Sequence, residues 1–219
     1  MDKIGVNDLF ESIPSMLVPL FKDITYPWEV IPKIKDYIKF LISSGLQGYR
    51  EYQAGVFIGE NVKIDKNVKI IPPVIIGDGC EIRHGAYIRG NAIILEGCVI
   101  GNSTEIKNSI LFPNAACPHY NYVGDSIIGS YAHLGAGVIC SNLKSDKTDI
   151  YVKGNEKYCT YLKKMGAILG DRAEIGCGCV LNPGTVIGKY TSVYPLTAIR
   201  GVIPERCIVK DMKTVVGKI

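Results

Sequence analysis

No run of about eighteen uncharged apolar residues occurs in this 219-residue chain, so no membrane-spanning helix is expected. The opening MDKIGVNDLFESIPSMLVPLFKD also lacks an unbroken apolar core followed by a small-residue cleavage site, so no secretory leader is expected either. There is no basic stripe: the net charge is +4, with both signs spread along the chain, which argues against a nucleic-acid partner. Histidine is scarce, at three residues. The eight cysteines include no CxxC pair, and most stand at small or aliphatic positions where a free thiol packs as a small hydrophobe. Cys177 and Cys179 stand two apart with no second cluster to complete a metal site. Reduced thiols in a cytoplasmic protein with no metal are therefore expected.

What is abundant is a short repeat. From Val56 the chain reads IGENVK, IDKNVK, IGDGCE, IRHGAY, IRGNAI, ILEGCV, IGNSTE and later IGCGCV, LNPGTV and IGKYTS, an aliphatic residue about every sixth position. Such hexads each give a short strand and a corner, and three make one triangular coil of a parallel β-helix. The expected fold is all-β, a β-helix over residues 56–205 behind a short helical segment at 1–50. In that segment Leu9, Ile13, Met16 or Leu17, and Leu20, then Trp28, Ile31, Ile34, Ile38 and Leu41, recur at spacings of three and four, the apolar stripe of amphipathic helices. The hexad lapses between Asn142 and Met165. A projecting, hairpin-like loop is expected over 143–166, turning at KGNEK, and residues 206–219 are expected to cap the coil.

The repeat assigns places to the polar residues. With Ile88 and Ile106 inward, Arg89 and Lys107 fill the next slot eighteen residues apart, one coil on a stack spaced about 4.7–4.9 Å. Two stacked cations repel unless an anion lies between them, and an Arg fork fits phosphate oxygens. The plainer alternative is a pair of solvated side chains that splay apart. Inward positions run Ile106, Leu111, Cys117, Val123, Ile128, Leu134 and Cys140, with two steps shortened by one residue. PHYNY is thus outward-facing repeat, with His119 and Tyr122 near the cationic corner and Asn142 one coil on. Imidazole is the side chain suited to take a proton near neutral pH, so His119 is the candidate base. His84 and His133 are expected to be surface residues.

PHYNYVGDSIIG followed by HLGAGVICSN resembles the acetyltransferase half of the bifunctional glucosamine-1-phosphate acetyltransferase and N-acetylglucosamine-1-phosphate uridyltransferase family, above all its archaeal-type members. The resemblance implies a left-handed coil and a homotrimer with sites between subunits. It also implies an acetyl-CoA-dependent N-acetyltransferase acting on a hexosamine phosphate, with glucosamine-1-phosphate the leading acceptor. Carried over, it makes His119 the general base and assigns phosphate contacts to Arg89, Lys107 and Tyr122. It gives Asn142 the amino sugar, Ala136 the acetyl-thioester through its backbone and Cys177 the coenzyme. The Gly-rich nucleotidyltransferase half is absent, so no uridyl transfer is expected. Two rival readings are a γ-type carbonic anhydrase, for which His84, His119 and His133 lack a close-set ligand pair, and a sugar-phosphate sensor or scaffold without turnover.

Overall fold

Strands of two or three residues are too short to hold together within one sheet, and every third hexad must therefore pair with the one a coil earlier. The computed structural model, which describes residues 2–218, is such a solenoid, a left-handed parallel β-helix with three faces. Its left hand departs from the right-handed crossover rule. The first face runs from Val56–Ile58 to Val202–Ile203, the second from Lys63–Ile64 to Cys207–Asp211, and the third from Lys69–Ile70 to Ala198–Ile199. Antiparallel strands close two edges: Arg50–Gln53 pairs with Val56–Ile58, and Thr214–Gly217 with Cys207–Asp211. No helix among the described residues is long and apolar enough to cross a membrane.

Coil length follows the sequence. Val74 pairs with Ala92 eighteen residues on, whereas Ile110 pairs with Ile127 seventeen on. The inward residues Ile106, Leu111, Cys117, Val123, Ile128, Leu134 and Cys140 are fully buried in one core. Cys80, Cys98 and Cys179 join Cys117 and Cys140 there as free thiols. Burial pushes the Cys140 thiol up to about 12, so it packs as an uncharged group.

A second core lies outside the coil. On the first face Ile75, Ile93, Ile110, Phe112, Ile127, Ile168 and Val186 point outward and are buried beneath the N-terminal segment. That segment is not one long amphipathic helix followed by another. Pro14, with ψ 141°, breaks the first stripe into the short helices Val6–Leu9, Ser15–Leu17 and Val18–Phe21. The second stripe begins as a 3₁₀ helix, Pro27–Lys33, and continues as an α-helix over Ile34–Ser43. Phe10 stacks on Phe112 at 4.6 Å between centroids, and Phe21 meets the same ring edge-on at 6.0 Å.

The excursion 143–166 holds the hairpin Tyr151–Lys153 with Lys157–Cys159. It does not stand away from the coil: Ile150, Val152 and Met165 are fully buried in the second core, because alternate residues of the hairpin are apolar and the first face offers them cover. The Asp2 carboxylate accepts bonds from Asn155 N at 2.8 Å and the Tyr158 hydroxyl at 3.2 Å, tying hairpin to N-terminus.

A further tether is Asp171, buried and accepting 2.7 Å bonds from Glu11 N and Ser130 N. Burial raises its carboxyl above the usual range, so the folded chain holds that proton to higher pH than the unfolded chain. The group's contribution to stability therefore falls as pH rises through that window. Asp171→Ala, removing the acceptor of the Glu11 and Ser130 N–H groups, is expected to cost about 2 kcal/mol, read as a melting temperature lower by roughly 4–8 °C.

Candidate functional site

The polar residues occupy two corners of the triangle and the face between them. The second-face strand Ala116–His119 ends at the first corner, which turns through Tyr120 in the left-handed region at φ +51°. There Gly137 N donates to His119 O at 3.0 Å, Gly178 N to Ala136 O at 2.8 Å, and Leu196 N to Cys177 O at 2.9 Å. His119, Ala136 and Cys177 therefore stand on successive coils along one edge. Among the described residues, neither Ala136 N–H nor Cys177 N–H donates a hydrogen bond, which leaves both as donors at that edge. His119 is exposed, and its own backbone N–H is held by Asn121 Oδ1 at 3.1 Å. Asn121 is buried and donates to Gly135 O at 2.8 Å, so it fixes the turn from inside.

The third-face strand Tyr122–Gly124 leads from this corner to the next. Lys107 lies in register with Gly124, and Ile106 with Ile88, so Arg89 and Lys107 do stand one above the other. They do not face an unmet charge. Arg89 Nη1 sits 2.7 Å from Glu105 Oε1, and Lys107 Nζ 3.7 Å from Asp125 Oδ2. The chain's own carboxylates already screen the repulsion, so the stacking by itself does not call for an added anion.

Asp125 organises the corner. It is 5% exposed, accepts from Asn108 Nδ2 at 2.7 Å and also accepts from Asn142 Nδ2. Met165 N donates to Asn142 O at 3.0 Å and Gly166 N to Asp125 O at 2.9 Å, so the excursion leaves and rejoins the coil at a pinched base that holds Asn142. Gly124 makes the adjoining space. A β-carbon there would lie 2.6 Å from the Tyr122 hydroxyl and 2.8 Å from Asn142 Nδ2, so both groups lie over the glycine. Burial, reinforced by Glu105 and Asp125, raises the Tyr122 phenol above its ordinary range, which keeps it a neutral donor.

Sequence reading missed Glu105 and Asp125 as parts of this site. The Gly-Asp pair in YVGD was its one visible signal, since an Asp after a buried Gly at a corner faces the coil before it. His133 is paired with Glu174 at 3.1 Å, and His84 is exposed. Among the described residues no three His, Cys, Asp or Glu side chains are grouped to hold a metal ion.

Residues 70–219 match the family described as the GMPPB C-terminal domain. The chain is 38% identical over 191 residues to the bifunctional protein GlmU of Methanococcus maripaludis strain C5, covering 79% of this chain and 43% of that one. Against the GlmU of strain S2 of the same organism it is 33% identical over 176 residues, with the same coverage. A bifunctional sugar-1-phosphate nucleotidylyltransferase/acetyltransferase of Sulfurisphaera tokodaii is 36% identical over 98 residues, 44% of this chain and 24% of that one. The chain thus spans less than half the length of these curated relatives.

Proposed function

The chain belongs to the GMPPB C-terminal domain family, and from that premise we propose that it is a sugar N-acetyltransferase that moves acetyl from acetyl-CoA to the amine of a hexosamine phosphate, with glucosamine-1-phosphate the leading acceptor. The observation that carries the proposal is the division of the polar residues: His119, Ala136 and Cys177 along one edge, Tyr122 and Asn142 across the adjoining face, Arg89 and Lys107 at its far end. The similarity to a bifunctional relative whose name includes an acetyltransferase supports the same reaction.

His119 takes a proton from the acceptor amine as the amine nitrogen attacks the thioester carbon. The N–H groups of Ala136 and Cys177 are the donors for the developing oxyanion. Collapse breaks the C–S bond, and the proton passes from His119 to the departing thiolate. The products are the amide and free coenzyme thiol. Arg89 and Lys107 bind the acceptor phosphate by exchanging part of their contact with Glu105 and Asp125, and Asn142, oriented by Asp125, holds the sugar.

A homotrimer with sites between subunits belongs to the same proposal. It is supported by the apolar side chains beside the His119 edge: Leu196 is 85% exposed, Tyr120 64% and Ile139 41%, a surface suited to cover by another copy. Sedimentation equilibrium tests it, and a monomer at assay concentration would sink it.

The deciding assay is coenzyme thiol release with amino sugars offered with and without a 1-phosphate. Release should require both the amine and the phosphate. Arg89→Ala is expected to raise KM for the phosphorylated acceptor roughly 10- to 100-fold with kcat little changed. An unaltered KM would remove Arg89 from the phosphate site while leaving the acetyl transfer in place.

A further inference from the structure

Beyond Asn142 the excursion roofs a cleft of about 530 Å³ against the far coils of the third face. Its walls carry Lys144, Lys153, Lys157 and Arg200 against a single carboxylate, Asp146. Lys144 Nζ is 3.4 Å from Asp146. Among the described residues, Lys153, Lys157 and Arg200 have no carboxylate within 4.0 Å. Lys157 Nζ lies 4.0 Å above the Tyr151 ring, also in the wall. The contrast with the cationic corner is plain: there each cation has its own carboxylate, and here most do not.

The cleft continues the same corner. Ser141 N donates to Leu181 O and Asn182 N to Ile199 O, both at 2.9 Å, so Lys107, Gly124, Ser141, Asn182 and Arg200 follow one another along the axis. At about 4.8 Å per coil Ser141 stands roughly 10 Å from Lys107 and Arg200 roughly 19 Å. One phosphate cannot touch both Lys107 and Arg200.

We propose that this cleft is a second anion site, which takes the phosphate or diphosphate group of an organic ligand between Lys153, Lys157 and Arg200, apart from Arg89 and Lys107. The inference rests on the charge and shape of the cleft; placing it beside an acetyl-transfer site rests on the proposed function. Two sources carry this chemistry: the adenosine 3′-phosphate diphosphate end of the coenzyme, and the diphosphate of a nucleotide-linked amino sugar. Lys and Arg together suit such a group, the one as a compact charge and the other as a planar fork, and Lys157 rests over the Tyr151 ring in the wall.

The test is binding, independent of turnover. Inorganic pyrophosphate is titrated calorimetrically into the full chain at low salt, where screening is least. The wild type should bind it. Lys153→Ala with Arg200→Ala should weaken binding at least tenfold at unchanged circular dichroism, and Lys153→Arg with Arg200→Lys should restore it to within about threefold. As a measurement that needs no variant, pyrophosphate should slow amine-reactive labelling of Lys153 and Lys157 in the wild type, read by peptide mass. No binding, equal binding by the double alanine variant, or labelling that pyrophosphate leaves unchanged would overturn the proposal. Adenosine 3′,5′-bisphosphate and uridine 5′-diphosphate are then competed against pyrophosphate. Preference for the first assigns the site to the coenzyme, preference for the second to a nucleotide-linked acceptor, and displacement by neither overturns an organic ligand. Thiol release is measured in parallel, so failure of the cleft and failure of the acetyl-transfer reading are seen separately.

Discussion

Alanine in place of His119 is expected to lower coenzyme thiol release by about 10²–10⁴-fold, the usual worth of a positioned proton acceptor, with melting temperature unchanged. The two halves of that result have different physical origins. The imidazole is exposed and no hydrogen bond from its ring is present among the described residues, so removing it opens no cavity and orphans no partner. The rate should fall because an amine that keeps its proton through attack yields a cationic intermediate with no local acceptor. Because the phosphate and sugar contacts proposed for the other corner would set KM, the loss should fall on kcat. Near-wild-type release by a folded His119→Ala chain would remove His119 as the base while leaving acetyl transfer in place, whereas no release by the wild type would shift weight to a sensor or scaffold that binds the sugar phosphate without turnover.

The second large effect concerns a residue with no chemistry of its own. Gly101 lies opposite Pro118, between the register pairs Ile100 with Cys117 and Asn102 with His119. A β-carbon on Gly101 would sit 1.5 Å from Pro118 O and 1.9 Å from its carbonyl carbon, which is inside any contact distance, and the obstacle is backbone. Neither strand can yield alone, because the next coils clamp both sides. Gly101→Ala is therefore expected to destabilise by on the order of 4 kcal/mol, above the usual overpacking cost. Thermal melting should show it as a fall of roughly 8–16 °C. Any folded fraction should lose activity as well, since Pro118 carries His119 at the end of its strand. A melting temperature within 2 °C of wild type would show that the coil spreads at this point, and that the close approach is not needed to place His119.

The hexad made most of the coil legible. Its aliphatic positions have one place to go, and the two shortened steps, Ile106 to Leu111 and Val123 to Ile128, keep their side chains inward because a corner can lose a residue while the strands on either side stay in phase. The stacking of Arg89 on Lys107 was readable for the same reason. Their partners were not. Glu105 is in register with Tyr87 rather than Arg89, so its bond to Arg89 is diagonal and depends on rotamers. Asp125 reaches Lys107 and Asn142 only because the shortened coil sets Gly124, not Asp125, in register with Lys107.

The N-terminal segment shows a different limit. Its three-and-four periodicity gave an apolar stripe, yet Pro14 and the neighbouring short turns divide it. What holds it in place is the outward row of isoleucines on the first face. A period-two strand pattern with both faces apolar looks in sequence like any fully buried strand, and nothing local says which element covers the outside. The same holds for the excursion, whose hairpin was visible at KGNEK while its docking was not.

The sequence by itself determined the coil, its inward residues, and the gathering of His119, Tyr122 and Asn142 within a few coils, because these depend on position along a repeat. Only the tertiary structure decided that the cations at Arg89 and Lys107 are already paired, that His119 and the Arg89–Lys107 corner occupy opposite ends of one short face, and that the excursion folds back to enclose a basic cleft. Those outcomes depend on contacts between coils and between elements far apart in the chain, where side-chain direction and competition for cover outweigh any spacing.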